Sequence, residues 1–273
     1  MSIRTNVASL NAQRNLYNSQ SNLDSSLSRL SSGYRITRAG DDAAGLGIST
    51  NLEAQIRSYG QAVRNGNDGL SVIQSTEAAL NETANILTRL RELAMQSSSD
   101  GIGDTERGYV DTEATALVNE IDRIANATQF NGTSLLSATT TTLDFQVGVE
   151  NTSNDVISFD TINATSSALF GGATLALGAK DTAKTALDTI DTALTAVSTA
   201  RADLGAAGNR FQSAIASVQS FSESLSAANS RIRDVDVAEE TSRMARAQIL
   251  AQAGVSVLAQ ANQMPQMALK LLG

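Results

Sequence analysis

The chain contains no cysteine, no histidine and no tryptophan, and it has a single proline, Pro265. Each absence closes a class of function. Without imidazole or thiol there is no usual general base, no cysteine nucleophile and almost no zinc chemistry. Catalysis would fall to carboxylates, arginine, serine, tyrosine and three lysines, Lys180, Lys184 and Lys270, which do not cluster in the sequence. The expectation is therefore no enzyme: no catalytic residue, no cofactor and no metal. A cysteine-free chain suits an oxidising exterior, and a cytosolic protein can lack the residue as well.

Long apolar runs are missing too. No stretch approaches the ~20 apolar residues that a membrane span needs, so membrane insertion is not expected. The start, MSIRTNVASL, lacks a basic segment followed by an apolar one, so a secreted product would not use a cleaved signal. Mean hydropathy of −0.11 agrees with a soluble monomer. The net charge of −8 is uneven: Arg4, Arg14, Arg29 and Arg35 outnumber Asp24 in the first 35 residues, and the acidity lies in the middle. An acidic body with sparse terminal arginines and no interleaved aromatics argues against nucleic acid.

What is present is apolar residues at steps of three and four, running from Ile3 to Leu271. Near the start they are Leu16, Leu23, Leu27, Leu30 and Tyr34, with Ile3, Val7 and Leu10 ahead on a slightly rotated stripe, which predicts one long helix. A second seam runs from Leu52 to Leu87, with Glu77 as its one acid. A third, from Val110 to Ile124, stops before the turn signal Asn131-Gly132. The longest goes from Leu187 to Ile232, and an Ala-rich stripe, Met244 to Leu271, follows it. The terminal seams are too thin for a core of their own, so they need other helices to cover them and are expected to order only on assembly. Between the halves, Leu143, Phe145, Val147 and Val149 alternate with polar residues, as do Ile157 and Phe159 after a polar turn, which predicts a β-hairpin.

Smaller features have ordinary readings. Asp41-Asp42 before AAGLGIS is read as a helix N-cap rather than a carboxylate pair for acid–base work. Gly45-x-Gly47 follows no strand and is read as close packing, not as a dinucleotide fingerprint. The five Asn-x-Ser/Thr sequons are read as accidents of composition.

Seven segments then carry a resemblance that periodicity cannot supply: TNVASLNAQRNL (Thr5 to Leu16), LSSGYRITRAGDDAAGLGIS (Leu30 to Ser49), LRELAMQS (Leu90 to Ser97), NEIDRIANATQFNG (Asn119 to Gly132), LGAAGNRF (Leu204 to Phe211), SRIRDVDVAEE (Ser230 to Glu240) and LAQANQMPQ (Leu258 to Gln266). Together, co-linear and at both ends, they resemble the bacterial flagellin family. The resemblance implies a mainly α fold of long helices in a coiled-coil-like bundle with a small β-hairpin. It also implies a homopolymer: a structural subunit exported by the flagellar type III apparatus and polymerised into the extracellular filament that drives swimming. The hook–filament junction protein of the same helical family is the alternative.

By motif position, residues 1–43 match the N-terminal inner-tube helix and its connecting spoke. Residues 44–180 match the N-terminal part of the outer-tube domain with the hairpin, 181–235 its C-terminal helix, and 236–273 the C-terminal inner-tube helix. Large surface insertions found in other members are absent. The subunit interface is expected on Ile3, Val7, Leu10, Leu23, Leu27, Leu30, Val257, Leu258, Met264 and Leu271. Partners implied are an export chaperone, the filament cap, hook-associated proteins and a host Toll-like receptor. For that receptor, positions carried over from the family fall on Arg89, Leu93 and Glu113, with Arg89 and Leu93 four apart on one helix face.

Overall fold

The computed structural model describes residues 5–137 and 141–270, with side chains described as far as Gln263. Six helices and two small antiparallel ribbons make up the described residues: α1 (Val7–Ser32), α2 (Ala43–Ser97), α3 (Asp104–Ala127), β1 (Gln129–Phe130), β2 (Thr133–Ser134), β3 (Thr142–Gln146), β4 (Val156–Asp160), α4 (Ser166–Leu169), α5 (Lys180–Arg233) and α6 (Val237–Lys270). The seams account for the five long helices, and their ends are set by capping chemistry. Asn6 accepts from the Ser9 N–H at 3.1 Å at the start of α1, and Gly33, left-handed at φ 75°, closes it by donating to the Arg29 carbonyl. Tyr34, read as the last seam residue, therefore lies beyond the helix and bridges to Asp234. Asp42 accepts from the Gly45 N–H at 2.8 Å ahead of α2, which is the cap read from the sequence. Of the two nearby glycines only Gly45 is tightly packed, since a Cβ there would meet Asp42 and the Ile36 Cδ1 within 3 Å; Gly47 has open space around it.

The chain divides into two compact units, residues 1–56 with 223–273, and residues 57–222. The second unit holds the main core. Leu80, Leu87 and Leu90 of α2, Ile121 of α3, Leu135 and Leu136, Leu177, and Ile190 and Phe211 of α5 are all fully buried. Each such side chain contributes about 1.5–3 kcal/mol by leaving water. The turn Asn131-Gly132, with φ of 49° and 80°, matches the two-residue hairpin geometry and joins β1 to β2, a pairing the sequence did not reveal.

β3 and β4 form the hairpin expected from alternation, with Leu143 opposite Phe159 and Phe145 opposite Ile157. The pairing ends earlier than the alternation does. The N–H groups of Val147 and Gly148 both donate to the Asp155 carbonyl, at 2.8 and 3.0 Å, so the ladder breaks there. Phe145 and Phe159 stack at 5.8 Å and both meet the Phe211 ring edge-on, at 5.6 and 6.4 Å. Gly69 of α2 makes room for this cluster: a Cβ there would stand 2.7 Å from the Phe211 ring.

Beyond the core, Arg107 caps the end of α2. Its Nε and Nη2 donate to the Ser97 and Ser99 carbonyls at 3.0 and 2.8 Å, while Nη1 pairs with Asp104. Such a cation at a helix C-terminus satisfies carbonyls that have no intrahelical donor.

Candidate functional site

In the first unit α1 and α6 run antiparallel against each other. Asn6 donates to the Ala261 carbonyl at 2.8 Å and the Ser9 hydroxyl bonds Asn262 at 2.9 Å, while at the other end the Ser26 hydroxyl donates to Glu240 at 2.6 Å. The contact is made of small side chains: Ala12 and Ser26 of α1, Ala247 and Ala261 of α6 are buried, and Gly254 lies against Leu16. Small residues let the two backbones approach closely. They also leave most large apolar side chains outside.

That division separates the ten residues expected at one interface. Leu23, Leu30 and Leu258 are half-buried, whereas Val7, Leu10, Leu27 and Val257 remain 60%, 50%, 49% and 52% exposed. Ile3 and Leu271, and the side chain of Met264, lie outside the described residues. The terminal segments, expected to order only on assembly, are helices that pair within one chain.

Glu240 is the polar residue that sequence reading missed. It is 3% exposed, bonds Ser26, and has Arg29 at 3.9 Å and Arg243 at 3.6 Å around it. An acid in the first turn of a helix ordinarily reads as a solvated group favoured by the dipole, and only the pairing with α1 buries it. A second polar staple joins the linkers. Arg35 and Val235 exchange backbone bonds with Arg233 and Gly33, the Arg233 guanidinium sits 4.1 Å over the Tyr34 ring, and the same group pairs with Glu53 at 3.0 Å. Asp41 accepts from the Thr37 N–H and hydroxyl and the Arg38 N–H at 3.0–3.1 Å. Those bonds, the Thr37 N–H first, and the nearby Arg29 hold its carboxyl below the usual range.

The residues matched to receptor contacts lie in the second unit, where Arg89 and Glu113 meet at the surface and Leu93 is buried. Arg89 is exposed and donates to Glu113 through Nε at 3.0 Å and Nη2 at 2.8 Å, and to Glu92 through Nη1 at 3.0 Å, which raises its already high pKa. Leu93 is 1% exposed and belongs to the core. Arg89, with its long side chain, stays at the surface while Leu93 is buried, so Leu93 is no surface anchor in this structure. Among the described residues no group of three or more acidic side chains is placed to hold a metal ion, and no helix is long and apolar enough to cross a membrane.

Comparison with known proteins agrees with the resemblance. The bacterial flagellin N-terminal helical region matches residues 3–141, and the C-terminal helical region matches residues 187–272. A flagellin of Halalkalibacterium halodurans is 45% identical over 277 residues, covering 100% of both chains. The chain belongs to the bacterial flagellin family. The crystal structure of Bacillus cereus flagellin superposes with a TM-score of 0.52 at 31% identity, covering 57% of this chain and 88% of that one. A protein described as flagellar hook-associated, from Vibrio parahaemolyticus, has a TM-score of 0.60 at 16% identity over 71% of this chain and 100% of its own, a likeness of fold alone. As a flagellin, this chain is a structural subunit of the flagellar filament, and the hook–filament junction reading is not favoured.

Proposed function

We propose that this flagellin leaves the cell through the flagellar type III apparatus and adds to an extracellular filament through its paired terminal helices. The observation that carries the reading is the combination on α1 and α6 of a small-residue contact with exposed Val7, Leu10, Leu27 and Val257. Large side chains at helical spacing, left bare on a pair already packed, suit burial against other copies. Residues 1–43 and 236–273 then form the inner tube, and 44–180 with 181–235 the outer one. The chain works by assembly and carries out no reaction.

Its other partners follow from the same surfaces. The Ala-rich flank of α6, kept from premature polymerisation, docks the export chaperone, while the filament cap and hook-associated proteins meet the polymer at its ends. A host Toll-like receptor meets the exposed Arg89–Glu113 pair in the monomer, with Leu93 supporting that pair from below. The deciding experiment adds purified chain to short filament seeds and follows length by electron microscopy. Elongation is the expected result; chain that stays monomeric beside competent seeds overturns the reading.

A further inference from the structure

A groove of about 310 Å³ lies within the first unit, between α1 and α6. Asn22, Ser25 and Arg29 line it from one face of α1, and Arg243 and Arg246 line it from α6. Arg29 is the unusual member. Its side chain is 22% exposed, its Nε is buried without a hydrogen-bond partner, and its ion pairs with Asp41 and Glu240, at 3.6 and 3.9 Å, are longer than hydrogen bonds. A guanidinium cannot shed its charge, so covering its N–H donors without giving them acceptors is costly. Other donors in the groove are free as well: the side chains of Asn22, Ser25 and Arg246 make no hydrogen bond or ion pair among the described residues. Glu240, the one acid in the lining, is already committed, since it accepts from Ser26 at 2.6 Å and faces both Arg29 and Arg243. Arg243 also pairs at 2.6 Å with Glu239, which does not line the groove.

We propose that this groove binds a small phosphate-type oxyanion, inorganic phosphate or a phosphate monoester, between Arg29 and Arg246, with Asn22 and Ser25 as neutral donors. Guanidinium and phosphate match in charge and in the spacing of donors and acceptors, so each arginine can give two parallel hydrogen bonds. The donors come from two helices. A tetrahedral anion accepts from both sides at once, whereas a carboxylate accepts in one plane. Water could take up the hydrogen bonds but not the charge. An anion held here bridges α1 and α6, and by mass action it stabilises their pairing. The site needs only the monomer, so it stands or falls apart from the filament reading.

Isothermal titration calorimetry of the unseeded, monomeric full chain with sodium phosphate, at neutral pH and an ionic strength held constant with chloride, measures the site. A single phosphate per chain is expected, and glycerol 3-phosphate should bind within a few-fold of it. Two variants at exposed positions test the assignment. Arg246→Ala removes a guanidinium and Asn22→Asp sets a carboxylate against the anion, so each should weaken binding about tenfold. Circular dichroism checks that both keep the natural helix content. Hydrogen exchange should slow in residues 19–29 and 243–250 when phosphate is added to the natural chain, and not when it is added to Arg246→Ala. Phosphate that binds no more tightly than chloride, or that binds both variants as it binds the natural chain, overturns the site. Slowed exchange elsewhere with these two segments unchanged overturns it as well.

Discussion

Gly69 and Gly205 both lie in long helices, yet their surroundings demand opposite outcomes from the same change. A methyl at Gly69 would meet the Phe211 ring at 2.7 Å and the Phe145 ring at 3.2 Å, while Gly205 has nothing within 4 Å. Gly205→Ala should therefore stabilise by about 0.5–1 kcal/mol through helix propensity alone. Gly69→Ala should cost about 1–3 kcal/mol of overpacking, more than propensity returns. Thermal unfolding monitored at 222 nm checks both signs. Asp41 gives a pH-dependent test. Its folded pKa is depressed, so its stabilisation is complete above the unfolded value of about 3.9 and is lost as pH falls from there through the lower folded pKa. The stability difference between the natural chain and Asp41→Asn should accordingly shrink as a pH series runs from 7 to 3; a constant difference would remove Asp41 as the titrating group. Arg89→Ala leaves an exposed site, so monomer stability should stay close to that of the natural chain while receptor signalling by monomer falls. Undiminished signalling in a reporter assay leaves Arg89 with only its ion pairs to Glu113 and Glu92.

At the scale of elements, the helices differ in what holds them. Two of the 26 residues of α1 are buried, Ala12 and Ser26, against eleven in α5, all between Ala183 and Val218. Opening α1 from α6 exposes little apolar surface and breaks a few polar bonds, so it costs far less than opening the second unit. Hydrogen exchange of monomer should show amides of α1 and α6 exchanging well before those of α2 and α5 around Leu80, Leu90, Ile190 and Phe211, with the terminal helices gaining protection in polymer. Equal protection of all helices in dilute monomer would show that the terminal pair is stable alone. The hairpin β3–β4 is held otherwise, by Phe145 and Phe159 against Phe211. Two strands of five residues are marginal in water and need such a support.

For the whole molecule, the surface proposed for assembly is separate from the main core. Val257 is half exposed in the monomer and belongs to the first unit, whereas the main core lies between residues 57 and 222. Val257→Asp should leave the thermal transition of that core unchanged and abolish seeded elongation, because an unpaired charge at a buried contact costs several kcal/mol in every subunit added. Normal polymerisation by this variant, seen in sedimentation, would place the interface elsewhere on α6.

Most of the architecture was legible without coordinates, since it rests on local rules. Recurrence of apolar residues at three and four marks α1, α2, α3, α5 and α6, alternation marks β3 and β4, an aspartate before a helical run marks the Asp42 cap, and the co-linear motifs mark the family. Periodicity says that a helix has an apolar face, but not which neighbour covers it. That choice depends on residues more than 200 positions apart, such as Ser26 and Glu240, whose contact follows from the closeness that Ala12, Ala247 and Gly254 permit. Only the tertiary structure turned Leu93 into the core while leaving Arg89 at the surface, ended the β3–β4 ladder at Asp155, and divided the terminal seams into a covered stripe and a bare one. Packing assigns one face to the chain itself, and the face left over is the one available to other copies.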